Sequence, residues 1–133
     1  MSLKTAVLKT GATWAPTGGT DLTLTPDGRD GANSVSLVVV SDEDLITRRT
    51  VTARATMPAL PVNGGYARLG RNQLTYKIPF IASDGRLYIQ PCRLETAFHP
   101  EYTQANKEAV INDLPAFLAD SDFLLFWQDS LLS

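Results

Sequence analysis

The sequence predicts an α+β fold in one domain: a β-hairpin, a five-stranded antiparallel sheet, then two C-terminal α-helices. Three observations predict it. Between residues 34 and 98, polar and apolar side chains alternate with the period of two that belongs to strands. From Thr103 onward the apolar residues recur at helical spacing instead. Charge is also segregated along the chain. Residues 1–47 carry three Lys/Arg against six Asp/Glu, residues 48–93 carry eight against one, and residues 94–133 carry one against seven. A chain of 133 residues suffices for a single hydrophobic core and is too short to expect two. Its 44% hydrophobic and 20% charged residues make an ordinary globular composition.

Residues 1–27 read as hairpin material. "LKTAVLK" precedes the turn-rich "TGATWAPTGG", and "TDLTLTPDG" follows with Leu22 and Leu24 alternating and Asp27–Gly28 as turn residues. The sheet is expected over 34–98. "SVSLVVV" is a β-branched strand stopped by "SDEDL". "RRTVTARAT", Arg48 to Thr56, then splits into two faces: Arg48, Thr50, Thr52, Arg54 and Thr56 on one side, Val51, Ala53 and Ala55 on the other. Two prolines and three glycines make Pro58 to Arg71 a long connection, with a short ribbon expected around Tyr66 to Leu69. "NQLTYKIPFI" repeats the two-faced pattern, placing Leu74, Tyr76, Ile78 and Phe80 opposite Gln73, Thr75 and Lys77. "SDGR" at 83–86 signals a tight hairpin, and "LYIQPCRLETAF" returns with Cys92, Leu94 and Phe98 on one side and Arg93 and Glu95 on the other. Pro91 has no N–H to give a ladder, so it belongs at an edge, a strand start or a bulge. Cys92, the sole cysteine, reads as a small buried hydrophobe and excludes an internal disulfide framework.

The helices occupy 103–132. Val110, Ile111, Leu114, Phe117 and Leu118 share one face, with Thr103 as N-cap. Pro115 is expected to kink or restart the helix. A second helix is expected from Ser121 as N-cap, with Asp122 in its first turn. "FLLFW", Phe123 to Trp127, is apolar around nearly its whole circumference, and Leu131 and Leu132 continue it. Such a helix needs cover on all sides, and one sheet covers only one. At about 1.5–3 kcal/mol per large side chain buried, half-exposure would forfeit several kcal/mol. An obligate homodimer with intertwined helices is therefore expected, its interface holding Val110, Leu114, Phe117, Phe123, Phe126, Trp127 and Leu131.

Catalytic and metal chemistry find little support. His99, the only histidine, sits in "FHPEY" as a capping or packing residue, with no clustered cysteines, phosphate loop or serine elbow beside it. The reading is a non-enzymatic protein without metal or cofactor. No apolar run approaches a bilayer span, and "MSLKTAVLKTG" lacks a secretory apolar segment, so the protein is expected to act where it is made. What remains is a binding face of Arg48, Thr50, Thr52, Arg54, Gln73, Thr75, Lys77, Arg93 and Glu95. Cations there neutralise phosphates, Thr and Gln hydrogen-bond ribose or unstacked bases, and Tyr88 or Tyr66 is a candidate for stacking. Single-stranded or hairpin-loop RNA fits better than duplex DNA, because no helix carries the cations to enter a major groove.

This order of elements resembles the coat protein of the single-stranded RNA bacteriophages, the leviviruses, over essentially the whole chain. "RRTVTARATMP" is similar to the family's basic, hydroxyl-alternating strand, "LTYKIPF" to its next strand, "GANSVSL" to the turn into the third strand, and "ANKEAVINDLPAFLADSDFLLFWQDSLL" to its paired helices. The resemblance implies a dimer with a continuous ten-stranded sheet and interlocked helices. Dimers would build an icosahedral, quasi-equivalent shell (T=3) around genomic RNA in the virion, after synthesis in the bacterial host's cytoplasm. It also implies translational repression through an RNA hairpin held by Thr50, Thr52, Arg54, Gln73, Thr75, Lys77, Arg93 and Glu95. Two departures stand out: the Pro58–Arg71 connection is longer than in the best-known members, and the Ala82–Arg86 loop is shorter. A dimeric regulatory RNA-binding protein that forms no shell and a small-molecule-binding α+β dimer are the alternatives.

Overall fold

The structure, a computed structural model, describes residues 6–8 and 17–130. The chain divides into two compact units. Thr20–Glu101 holds a sheet, and the residues from Tyr102 onward, together with the start of the chain, hold two helices.

The sheet has five antiparallel strands in sequence order: β1 (Leu24–Pro26), β2 (Ser34–Val39), β3 (Thr50–Thr56), β4 (Gly70–Ile81) and β5 (Leu87–Phe98). Such a meander needs only local connections, each of which has an identifiable tie. Between β1 and β2, Asp27 accepts the Arg29 N–H at 2.9 Å and the Ser36 hydroxyl at 2.8 Å, which hold its carboxyl below the usual range. Between β2 and β3, Asp42 accepts three bonds from Arg49 and the Arg48 guanidinium donates to the Asp42 carbonyl at 2.8 Å. Between β4 and β5, Gly85 takes a positive φ of 78° while its N–H reaches Ala82 O at 2.9 Å. There Asp84 accepts the Arg86 N–H and then the Tyr88 hydroxyl, lowering the Asp84 pKa and raising that of Tyr88.

Several expectations shift at the residue level. The fifth strand is Leu24–Pro26, assigned from sequence to the N-terminal hairpin; it pairs with β2 through Leu24↔Val39. The hairpin's earlier strand falls mostly outside the described residues, and residues 6–8 are not in a strand. β3 starts at Thr50 rather than Arg48, because both preceding arginines are drawn onto Asp42. The expected ribbon is a single bridge, Ala59↔Arg68, from which the chain passes directly into β4 at Gly70.

Pro91 lies inside β5, which is an edge strand, and hydrogen-bond phase explains how it fits. The Ala82 N–H donates to Arg86 O at 3.0 Å, so the Ala82/Arg86 pair is hydrogen-bonded and its neighbours alternate. Lys77↔Pro91 is then a non-hydrogen-bonded pair, and the proline nitrogen faces away from β4. No ladder bond within the sheet is lost. Cys92 is exposed rather than buried, because the apolar side of this edge strand is open. Leu94 beside it is 51% exposed.

In the helical unit, α1 spans Gln104–Ala119 and α2 Ser121–Asp129. Thr103 caps α1, its hydroxyl accepting the Asn106 N–H at 3.3 Å. α1 runs through Pro115 without stopping and ends only at Asp120. That residue takes an extended conformation (φ −70°, ψ 135°) and gives its N–H to Ala116 O. Its side chain accepts the Asp122 N–H at 2.9 Å, so Asp120, not Ser121, is the N-cap of α2. The Asp122 carboxylate also accepts the Val7 N–H at 3.0 Å. Phe117 and Phe123 meet edge to face at 5.3 Å, and the Trp127 indole donates to Phe117 O at 2.6 Å. Even so, Ala116 is the one helical residue among those described that is buried, and Trp127 is 51% exposed. Leu131 lies outside the described residues.

Candidate nucleic-acid interface

Strand pairing turns the sequence alternation into a surface. Residues directly opposite in adjacent strands point to the same face. The register therefore builds parallel rows across the sheet: Ser34, Arg54, Gln73 and Glu95; then Ser36, Thr52, Thr75 and Arg93; then Val38, Thr50, Lys77 and Pro91. With strands about 4.8 Å apart, a four-strand row spans about 14 Å. Thr50, Thr52, Arg54, Gln73, Thr75, Lys77, Arg93 and Glu95 are thus brought together as expected, including the two after Pro91. Arg48 is not part of the rows: it precedes β3 and its guanidinium is engaged by the Asp42 carbonyl.

The opposite face carries Leu37 and Val39, Val51 and Ala53, Leu74, Tyr76, Ile78 and Phe80, and Tyr88, Cys92, Leu94 and Phe98. Tyr88 sits there, paired with Phe80 at a ring-centroid distance of 6.0 Å. It cannot stack on a ligand of the polar face. Tyr66 is fully exposed in the Pro58–Arg71 connection. The rows hold no aromatic side chain, so their polar chemistry consists of cations, hydroxyls, one amide and the Glu95 carboxylate.

Within the rows the charges differ in their freedom. Glu95 accepts from Arg71 at 3.1 Å on one oxygen and from Gln73 at 3.1 Å on the other. Arg54, Lys77 and Arg93 are exposed and, among the described residues, make no ion pair. Thr75 is buried at the floor between the strands. Two shallow depressions adjoin here, one lined by Arg54, Thr56, Arg71, Gln73 and Glu95, the other by Thr52, Arg54, Gln73, Thr75, Lys77 and Arg93. Arg71 was missed from sequence, and Thr56, placed on this side by the alternation, was left out of the binding set. Arg71 shares the parity of Gln73, so starting the strand two residues earlier would have found it. Among the described residues no cluster of His, Cys, Asp and Glu is able to hold a metal ion, and no helix is long and apolar enough to cross a membrane. His99 has a local role, its Nδ1 accepting the Glu101 N–H at 3.1 Å.

No protein-family model matches the sequence, and no curated protein matches it. Solved structures do. The chain is similar to the virus-like particle protein of bacteriophage GQ-907, with 28% sequence identity and a TM-score of 0.88 over 99% of this chain and 100% of that one. It also shares the fold of the virus-like particle protein of Wenzhou levi-like virus 4, at 16% identity and a TM-score of 0.63 over 90% of this chain and 80% of that one. A meander of five strands followed by two helices superposes end to end on the bacteriophage GQ-907 particle protein, and this chain has the fold of the levivirus coat proteins.

Proposed function

We propose that the protein is the major capsid subunit of its phage, assembling as dimers into a closed icosahedral shell whose RNA contacts are made by the row-bearing face of the sheet. The observation that carries this reading is the set Arg54, Lys77 and Arg93, which make no ion pair among the described residues and are displayed with Thr50, Thr52 and Gln73 on one face. Unpaired cations interleaved with hydroxyls suit a polyanion with exposed sugars. Each phosphate neutralised releases counterions, giving salt-sensitive affinity without any need for base recognition. The apolar groups left open elsewhere, on the other sheet face and around α2, support burial against further copies. A dimer whose two sheets join into one of ten strands would display both cationic faces together. The same face is proposed to hold an RNA hairpin and repress translation. The protein would be made in the host cytoplasm and reside in the virion.

The test is expression followed by electron microscopy and analysis of the particles' contents. Uniform closed particles carrying RNA are expected. Discrete dimers that bind RNA would instead identify a regulatory protein, and RNA-free dimers a small-molecule binder.

A further inference from the structure

The Ala59↔Arg68 bridge closes the long connection at its base, Ala59 N–H donating to Arg68 O at 3.0 Å and Arg68 N–H to Ala59 O at 2.8 Å. Beyond the bridge, residues 60–67 make no backbone hydrogen bond to any other described residue. Leu60, Val62, Asn63, Gly64 and Tyr66 are all exposed. Gly64 takes a positive φ of 72°, and nothing lies within 4 Å of the place a Cβ would occupy. At the tip of this open loop the chain reads Asn63–Gly64.

An asparagine followed by glycine holds an electrophile and a nucleophile side by side: its own side-chain Cγ and the next residue's backbone nitrogen. Ring closure between them gains from proximity as soon as the two atoms can reach an attacking geometry. In most folded segments they cannot, because a side chain on the second residue crowds the approach or hydrogen bonds hold the backbone. Neither obstacle exists at Gly64. The chain's other asparagines lack that freedom. Asn33 precedes Ser34, and its carbonyl is tied to the Ala55 N–H at 3.0 Å. Asn72 lies inside β4, opposite Ala55 on one side and Thr96 on the other. Asn106 and Asn112 are in α1, and the Lys107 N–H that follows Asn106 is held by Thr103 O at 3.0 Å.

We propose that Asn63 is a site of spontaneous deamidation in the folded protein. The Gly64 nitrogen attacks Asn63 Cγ; as that N–C bond forms, the Cγ–Nδ2 bond breaks, and the amide departs as ammonia with the Gly64 proton. Water then opens the succinimide at either carbonyl to give aspartate or isoaspartate, with no change of oxidation state. The new carboxyl, with an ordinary pKa of about 3.9, is ionised at neutral pH. It adds a negative charge to a connection, Pro58 to Arg71, whose only charged side chains are Arg68 and Arg71. Isoaspartate also lengthens the backbone by a methylene. Both changes fall in the segment that leads into the Thr56↔Arg71 rung at the end of the β3–β4 pairing.

Incubation of the native full-length protein at mildly alkaline pH, followed by tryptic digestion and mass spectrometry, tests the assignment. Trypsin releases Asn63 in the peptide 55–68, and the other asparagines fall in four different peptides. The 55–68 peptide should be the first to exchange its amide for an acid, giving two products of equal mass. Isoaspartyl methyltransferase should label the aged wild-type protein and not aged N63Q. On isoelectric focusing the aged wild type should gain a band at the position of N63D. The native rate should lie within about threefold of that in urea-unfolded protein, because local opening of such a loop costs close to nothing. A native protein that keeps the Asn63 amide while its unfolded form loses it, or labelling that persists in N63Q, overturns the proposal. Neither readout depends on RNA binding or assembly, so the result stands apart from the function proposed above.

Discussion

Asp42 and Arg49 form the tightest ionic contact in the sheet. The carboxylate accepts the Arg49 Nε at 2.9 Å, its Nη2 at 3.0 Å and its backbone N–H at 2.9 Å, while Arg49 also donates to the Tyr76 hydroxyl at 3.3 Å. These charge-assisted bonds hold the Asp42 carboxyl down at about 2 from its ordinary 3.8. A carboxyl depressed in the folded state stabilises above its unfolded pKa, and that contribution disappears as pH falls through the folded value. Stability is thus expected to decline between about pH 4 and pH 2, and Asp42→Asn to flatten that part of the curve while lowering stability at neutral pH. Thermal melts of both proteins across this range check it. Arg54 and Lys77 behave differently because, among the described residues, no ion pair neutralises them. Arg54→Ala or Lys77→Ala should each weaken RNA binding and reduce the salt slope, d log K/d log[salt], by about one. Filter-binding titrations at several salt concentrations would show it, and an unchanged slope would remove that residue from the phosphate-contacting set.

At the scale of strands and helices, backbone sterics make sharp demands. A Cβ on Gly70 would lie 2.8 Å from Pro58 Cδ and 3.2 Å from its backbone nitrogen, where the chain leaves the Ala59↔Arg68 bridge and enters β4. Gly70→Ala should therefore cost about 1–3 kcal/mol, as overpacking does, read from chemical denaturation. Asp120→Ala removes the α2 cap and should cost about 1 kcal/mol, whereas Ser121→Ala should cost little, since Ser121 is already inside the helix. The same elements show what a sequence reader can and cannot extract. Period-two alternation survives errors in strand ends, so β3, β4 and β5 present the expected faces although β3 starts two residues late and β4 two residues early. The parity of Tyr88 with Cys92 already placed it away from Arg93. Capping was harder: Asp120 and Ser121 are both good N-caps, and only the backbone conformation at 120 decides between them. The exposure of Cys92 depends on what lies beside β5, which is a matter of assembly and is absent from local pattern.

Across the whole chain, buried apolar side chains among the described residues are few: Val38, Val39 and Ala116. Leu74, Phe80 and Leu94 on the sheet, and Leu114, Phe117 and Trp127 on the helices, remain substantially open to solvent. A polypeptide of this composition that leaves such side chains open is suited to completing its core with other copies. Trp127→Ala should accordingly reduce dimer and particle yield in size-exclusion chromatography far more than a surface substitution such as Gln128→Ala. The central claim is that one sheet face serves the genome. A cryo-electron microscopy reconstruction of RNA-filled particles tests it most directly: Arg54, Lys77 and Arg93 should line the lumen against nucleic-acid density, and finding those side chains on the outer surface, or facing an RNA-free interior, would contradict it.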